Sequence, residues 1–333
     1  MAEDTAKALW YVAPGQAEIR PERLAPLADG YVRVRAEYSA ISRGTEALIA
    51  AGRVPEGEYQ RMRAPFMGGS FPFPVKYGYA TVGEVKAGPG ALTGCKVFAL
   101  HPHQTLFDLP AAAVVPVPAG IPLSRAVLAA NVETALNATW DAASNESWDA
   151  APGPCGRIAV VGAGVVGALT AFLCARIEGA EVTLIDIDPA RAALARALKL
   201  KFATPAAAPP DCDFVFHASA TAEGLATALN IAGDEATIVE LSWYGAGTVP
   251  VPLGASFHSR RLKIISSQVG KVAPSRRAEF THRQRLEAAI SLTAHPDLDA
   301  LLAPAIPFAE LPARLPDILK PRSGVLCQLI SYP

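Results

Sequence analysis

Cysteine is sparse and unpaired in this sequence: five residues, Cys95, Cys155, Cys174, Cys212 and Cys327, with no CxxC pair and no ladder of short spacings. Such scatter argues against a disulfide framework and against a thiolate zinc site, and it fits a reducing cytoplasm. Basic runs are missing as well. Thirty Lys and Arg stand against 31 Asp and Glu, a formal net charge of −1, so nothing marks the chain as a reader of phosphate backbones. No apolar stretch free of charge is long enough to span a bilayer. The opening MAEDTAKALWYV lacks the basic n-region and apolar core of a secretory signal. Nucleic acid and membrane are therefore set aside as partners, and a cytoplasmic globular protein is expected.

What is present is apolar bulk. Hydrophobic residues make up 51% of the 333-residue chain and charged residues 18%, enough to bury a sizeable core and to suggest two domains. Residues 7 to 125 read as short β-rich segments broken by Gly and Pro, among them KALWYVAPG, GYVRVRAEYSAIS, TVGEVKAGPG and KVFAL, the pattern of a twisted or barrel-like β-domain. Between them GTEALIAAGRVPEGEYQRMRAPFMGGSFPFP starts as a short helix and becomes a long Pro- and Gly-rich loop, of a length associated with functional lids or walls.

From about residue 125 strands and helices alternate. SRAVLAANVETALNATWDAA reads as a helix and SNESWDAAPGPCG as a polar linker. RIAVV, EVTLID, DFVFHAS, ATIVELSWYG and LKIISSQVG read as strands with helices between them, which implies a parallel sheet covered on both faces. After about residue 268 the chain returns through a helix at THRQRLEAAISLTA, a loop, a helix at AELPARLPDIL and a terminal strand VLCQLISY. The PAAAPP stretch at 205 to 210 reads as a linker.

The sharpest motif is VVGAGVVG. Gly162, Ala163, Gly164, Val165, Val166 and Gly167 follow the strand RIAVV directly and open the helix ALTAFLCARI. Gly162 permits a tight turn, Gly164 lets a pyrophosphate approach the backbone, and Gly167 lets helix and strand pack closely. Asp186 closes the next strand, where a carboxylate accepts hydrogen bonds from the adenosine ribose and repels a 2′-phosphate. NAD(H) is thus expected over NADP(H), with Arg191 near enough to offset part of that repulsion. Asp188, just before Pro189, is the more natural cap of the following helix. His217 and Ser219 end a parallel strand and so border the cofactor.

The order of parts resembles the medium-chain dehydrogenase/reductase superfamily over essentially the whole chain. YSAISRGTEALIAAG is similar to the segment with that superfamily's first catalytic zinc ligand, YGYATVGEV to the segment with the second, GCKVFAL to its GDRV strand, and ANVETALNA to the stretch that begins with the third ligand. The resemblance implies an α/β protein: a β-rich GroES-like catalytic domain, residues 1–130 and 268–333, and a doubly wound Rossmann dinucleotide-binding domain, residues 131–267. It also implies a homodimer or higher oligomer formed through the dinucleotide-binding domain.

The departures are informative. Where the zinc enzymes place Cys, His and Cys or Glu, this chain has Ser42, Tyr79 and Ala130, and the loop with four structural-zinc cysteines is absent between Val97 and Leu109. Hydroxyls are poor zinc ligands at neutral pH, so a zinc-independent member is expected. SRGTE and FPFPVKYGY look most similar to the group containing the hydroxyethyl bacteriochlorophyllide dehydrogenases, although Tyr79-Ala80 departs from the Tyr-Glu expected there. His101 and His103, two apart, offer a weaker alternative, a metal site completed by a carboxylate.

Without zinc, the charge that develops on a substrate oxygen must be met by hydrogen-bond donors or cations. The resemblance puts PVKYGY at the nicotinamide. Tyr79 is then the candidate donor, Ser42 and Thr45 the relay hydroxyls, Lys76 or Arg43 the electrostatic support, and Glu46 either the partner that orients Arg43 or a base. The competing reading for Tyr79 is a buried phenol that ties loop to strand. Phe66, Phe71 and Phe73 read as loop anchors or as an apolar wall for a flat substrate, and the SRRLK and SRR stretches as solvated or interface charges, with contact to an acidic substrate as the alternative. The expectation is an oxidoreductase acting on a small molecule, an alcohol/ketone or an activated double bond. A dinucleotide-binding redox sensor or scaffold without catalysis is the alternative.

Overall fold

The computed structural model describes residues 5–142 and 156–333. Cys155 and most of the expected linker before it lie outside the described residues. Two compact units divide the chain, Met1–Ala130 with Ile290–Pro333, and Asn131–Ala289.

The first unit begins with β1 (Thr5–Ala13), β2 (Gln16–Arg23), β3 (Tyr31–Ile41) and α1 (Arg43–Ala50). The pairs β4 (Gly68–Gly69) and β5 (Val75–Lys76), then β6 (Thr81–Ala87), β7 (Lys96–Ala99), β8 (Leu106–Pro110), β9 (Val115–Pro116) and the turn α2 (Leu123–Ala126) follow. The alternation seen in the sequence is structural. Val32, Val34 and Ala36 of β3 are buried, as a period-2 strand with one face on a core requires, whereas β1 buries Ala6 and Ala8 on one face and Leu9 and Tyr11 on the other. The core under β3 is built from Val32, Val34, Ala36, Val85, Val97, Phe107 and Leu109.

The second unit holds most of α3 (Ala129–Ala142), then β10 (Arg157–Val161), α4 (Val165–Cys174), β11 (Glu181–Ile185), α5 (Arg191–Ala197), β12 (Lys201–Ala203) and β13 (Cys212–His217). It continues with α6 (Ala222–Ile231), β14 (Ala232–Glu240), α7 (Ser256–Ser259), β15 (Lys263–Ser266) and most of α8 (His282–Leu292). Its six strands run in the order β12-β11-β10-β13-β14-β15, all parallel. That is a doubly wound sheet whose order reverses between β10 and β13. The central strands are apolar nearly throughout, with Ile158, Ala159, Val160 and Val161 all buried, because helices cover both faces of a parallel sheet.

The chain then returns to the first unit through β16 (Leu302–Pro307), α9 (Leu311–Leu319) and β17 (Cys327–Ser331). These strands extend a seven-stranded sheet, six of whose strands run β16-β17-β3-β6-β7-β9 while the seventh, β8, also pairs with β3, with β17 antiparallel to β3. Three features differ from the sequence reading. The helix over residues 124–143 is two pieces, α2 and α3. A strand, β16, stands where a loop was expected. The return begins at Ile290 and not at 268, and Arg285 of α8, 1% exposed, faces the second unit. Its Nε donates to Glu133 Oε1 at 3.0 Å and its guanidinium also reaches Asn137 Oδ1 and the Val269 carbonyl. A buried cation needs its partners, and these hold α8 to α3.

Candidate nucleotide and hydroxyl sites

The glycine turn between β10 and α4 has the geometry of a phosphate cradle. Gly162 takes φ +109°, and a Cβ there would sit 2.7 Å from Ser219 N; a Cβ at Gly167 would sit 1.9 Å from Gly162 O. Both positions exclude any side chain. Gly164, the N-cap of α4, meets nothing within 4 Å, so space lies open in front of the amides of Val165, Val166 and Gly167. A pyrophosphate fits that opening.

Asp186 follows β11 and also closes the turn, since its Oδ2 accepts from Ala163 N at 2.7 Å and its Oδ1 from Asp188 N at 2.9 Å. Each oxygen keeps a lone pair for a ribose hydroxyl. Asp188, expected to cap the next helix, instead accepts from Ala190 N at 3.0 Å in the turn before α5, whose N-cap is Ala190. Arg191 lies beside Asp188, Nε to Oδ2 3.9 Å.

Across β10 from Asp186, β13 ends in His217, wholly buried. Its Nδ1 is 2.7 Å from Glu240 Oε2 and its Nε2 is 2.7 Å from Ser219 Oγ. Ser219 Oγ is in turn 3.0 Å from Thr221 Oγ1, which accepts from Gly224 N. Burial works against ionisation of Glu240, but hydrogen bonds from His217 and Ser242 outweigh it and hold the carboxyl below its ordinary range. Tyr244 also donates to Glu240 Oε2 at 3.1 Å, and burial with the carboxylate pushes its phenol up, so it stays protonated. The sequence reading placed His217 and Ser219 here but not Glu240, Thr221, Ser242 or Tyr244. Glu240 was legible by the same rule, as the last residue of the neighbouring parallel strand.

In the first unit, the crowded YGY stretch resolves into two environments. Gly78, at φ +131°, would carry a Cβ 2.9 Å from the His103 ring, so glycine lets the backbone close on that imidazole. Tyr77 is buried and meets Tyr79 edge-on at 6.0 Å between centroids. Tyr79 is half-buried, and its Oη lies 2.6 Å from Ser42 Oγ and 3.2 Å from Thr45 Oγ1. Burial raises its pKa, while the Ser42 and Thr45 hydrogen bonds pull the other way. The three hydroxyls singled out in the sequence are therefore together.

Of the charged candidates, Glu46 touches Ser42 through the backbone amide and its charge adds to the raised pKa of Tyr79, while Arg43 and Lys76 bond elsewhere. Glu46, 0% exposed, accepts from Tyr11 Oη at 2.6 Å and from Ser42 N at 2.7 Å, and lies 3.1 Å from His103 Nε2. His103 Nδ1 continues to Ser39 Oγ at 2.7 Å, and Ser39 to Tyr332 Oη at 2.8 Å. Arg43, expected beside Glu46, instead donates to the carbonyls of Ile318, Lys320 and Val325. An always-charged fork suits several carbonyls at once, so it pins α1 to the C-terminal return. Lys76 Nζ is 2.6 Å from Glu22 Oε2 and 2.8 Å from Gln104 Oε1, an ion pair of the small sheet. Nothing local in the sequence marks Tyr11, Ser39 or Tyr332, which reach Glu46 and His103 only through strand pairing.

Of the three positions that the resemblance sets against zinc ligands, Ser42 and Tyr79 carry hydroxyls and Ala130 carries none. Among the described residues no group of three or more His, Cys, Asp or Glu is arranged to hold a metal. His103 is engaged at both ring nitrogens. His101 stacks on Phe107 at 3.8 Å and pairs with the Pro102 carbonyl at 2.9 Å, and burial lowers its pKa to about 3.

Residues 157–213 match the family model of the NAD binding domain of 3-hydroxyacyl-CoA dehydrogenase. No curated protein matches the sequence. Solved structures match along the whole chain at low identity. L-idonate 5-dehydrogenase from Escherichia coli K-12 superposes with a TM-score of 0.78 at 13% identity, over 98% of each chain. A short chain alcohol dehydrogenase from Escherichia coli CFT073 in complex with NADH gives 0.75 at 15%, over 99% of this chain and 100% of that one. TarJ of Staphylococcus aureus in complex with NADPH gives 0.74 at 16%, over 99% of each. Identity this low speaks to fold alone. The fold expected from the sequence, a β-rich GroES-like domain with a doubly wound Rossmann domain, is the one observed.

Proposed function

We propose that the protein is an NAD(H)-dependent oxidoreductase that works without catalytic zinc and transfers hydride between the nicotinamide and an alcohol/ketone or an activated double bond. The observation that carries this reading is the glycine cradle, in which Gly162 and Gly167 admit no side chain and Gly164 opens onto empty space. The amides that start α4 would hold the pyrophosphate and Asp186 the adenosine ribose, with its charge favouring NAD(H) over NADP(H). When bound, the cofactor supplies or accepts the hydride.

The candidate proton donor is Tyr79. Tyr79 keeps its proton at neutral pH, and Ser42 and Thr45 sit within reach of its oxygen. As negative charge grows on the substrate oxygen, the Tyr79 O–H donates to it. The phenolate left behind is stabilised by the hydroxyls of Ser42 and Thr45, which then return a proton from solvent. Alcohol oxidation runs the same steps in reverse. A homodimer through the dinucleotide-binding unit belongs to this reading, supported by β15, which ends the sheet and exposes Ile264.

The test is NADH consumption by chelator-treated protein offered ketones, enones and quinones, with NADH binding followed in the same sample. Consumption by at least one class is expected. Absence of NADH binding would overturn the proposal.

A further inference from the structure

The polar chain at the ends of β13 and β14 has a direction, and the direction points to a ligand. Glu240 is held ionised, so in the neutral imidazole the ring proton sits on Nδ1, 2.7 Å from Glu240 Oε2. His217 Nε2 is then the acceptor, and Ser219, 2.7 Å away, must donate to it. With its single proton committed, Ser219 can only accept from Thr221. Donation runs one way, from Thr221 through Ser219 and His217 to Glu240. A hydroxyl oxygen accepts twice, and one lone pair of the half-buried Ser219 Oγ is left unfilled by these partners.

That lone pair calls for a donor, and the sheet says which. Asp186 follows β11 on one side of β10, whereas Ser219 follows β13 on the other. A dinucleotide lies across the point where strand order reverses. If Asp186 takes the adenosine ribose, the second half of the molecule falls over β13. Ser219 is already at the cradle, because its backbone N would touch a Cβ on Gly162 at 2.7 Å.

We infer that Ser219 Oγ accepts a hydrogen bond from a hydroxyl of the second ribose, the nicotinamide-side sugar, with His217 and Glu240 as positioning residues that fix the direction of its O–H. This rests on the dinucleotide reading above. Although the three side chains resemble a hydrolase relay, the next amide cannot hold an oxyanion: Ala220 N donates to Ser242 Oγ at 3.1 Å. The arrangement is suited to holding a diol, not to attacking a carbonyl.

ADP, ADP-ribose and NADH separate the contributions, since ADP lacks the second ribose and ADP-ribose lacks the carboxamide. Titration calorimetry of Ser219→Ala should show ADP-ribose and NADH weakened by about 3- to 10-fold, the scale of one hydrogen bond, with ADP binding unchanged. Nitrogen NMR of the wild-type protein should report His217 as the Nδ1–H tautomer. In Glu240→Leu the Nε2–H form should appear and ADP-ribose should weaken, with ADP again serving as the control for folding. An Nε2–H tautomer in the wild type, or equal loss for ADP and ADP-ribose in Ser219→Ala, would overturn the inference. Loss confined to NADH would place the carboxamide amine on Ser219 and overturn it too. Failure of the wild type to bind ADP would bring down the dinucleotide reading itself.

Discussion

Tyr79 illustrates how side-chain environment assigns a role that residue type leaves open. Its phenol is kept protonated by burial yet has two hydroxyls beside it, the combination a proton donor needs. Tyr79→Phe should lower turnover by about 10² to 10⁴, the usual contribution of a positioned acid, with NADH affinity nearly unchanged. Steady-state kinetics and a binding titration on the same preparation check this. His101 gives a pH signature. Its folded pKa of about 3 lies below the unfolded value of about 6.5. The unfolded chain therefore binds the proton first, and stability falls as pH drops from about 6.5 towards 3, by roughly 3 to 5 kcal/mol in total. His101→Phe keeps the stack on Phe107 and removes the titration, so its unfolding midpoint should vary less with pH across that window. Ser42, Thr45 and Tyr79 could be grouped from the sequence, but the pairings of Arg43 and Lys76 could not. Their partners, Ile318 and Glu22, are far along the chain, and a charged side chain takes whichever acceptor the fold brings nearest.

At the scale of elements, the glycine turn makes a graded prediction. Gly164→Ala places a methyl in open space, so the thermal midpoint should hold while NADH affinity falls by about tenfold or more as the methyl meets the pyrophosphate. Gly167→Ala would drive a Cβ to 1.9 Å from Gly162 O and should cost stability before any ligand is added. Thermal melts with and without NADH separate the two cases. In α8, Arg285→Met leaves the buried Glu133 carboxylate without its cation, and loss of one partner of a buried pair costs about 3–5 kcal/mol. A urea titration of the dinucleotide-binding unit's transition reads that loss directly. The strand β16 escaped the sequence reading because LAPAIP carries two prolines, which normally argue against a strand. It lies at the sheet edge, where missing amide donors are tolerated.

For the molecule as a whole, the proposed chemistry requires no metal. Turnover should survive exhaustive chelation, and a loss restored by zinc would count against Tyr79 as the acid. Light scattering should give twice the mass of one chain, and a monomer would remove β15 as the proposed interface. The two-unit division could be anticipated, because the change from short β segments to alternating strands and helices is a change of period. The second boundary could not, since it falls inside α8, between Ala289 and Ile290, and periodicity marks no point within one helix; Arg285 ties the first part of that helix to α3.

Sequence alone determined the glycine cradle, the parallel sheet and the acid at the end of β11, because each depends on residues close in the chain acting through local backbone geometry. Tertiary structure decided the rest: that Glu46 meets Tyr11 and His103, that Arg43 serves the C-terminal return, and that Glu240 stands behind His217 and Ser219. Those partnerships join residues tens to hundreds of positions apart. A buried polar atom must find a partner, but only the packing of strands determines which one is within reach.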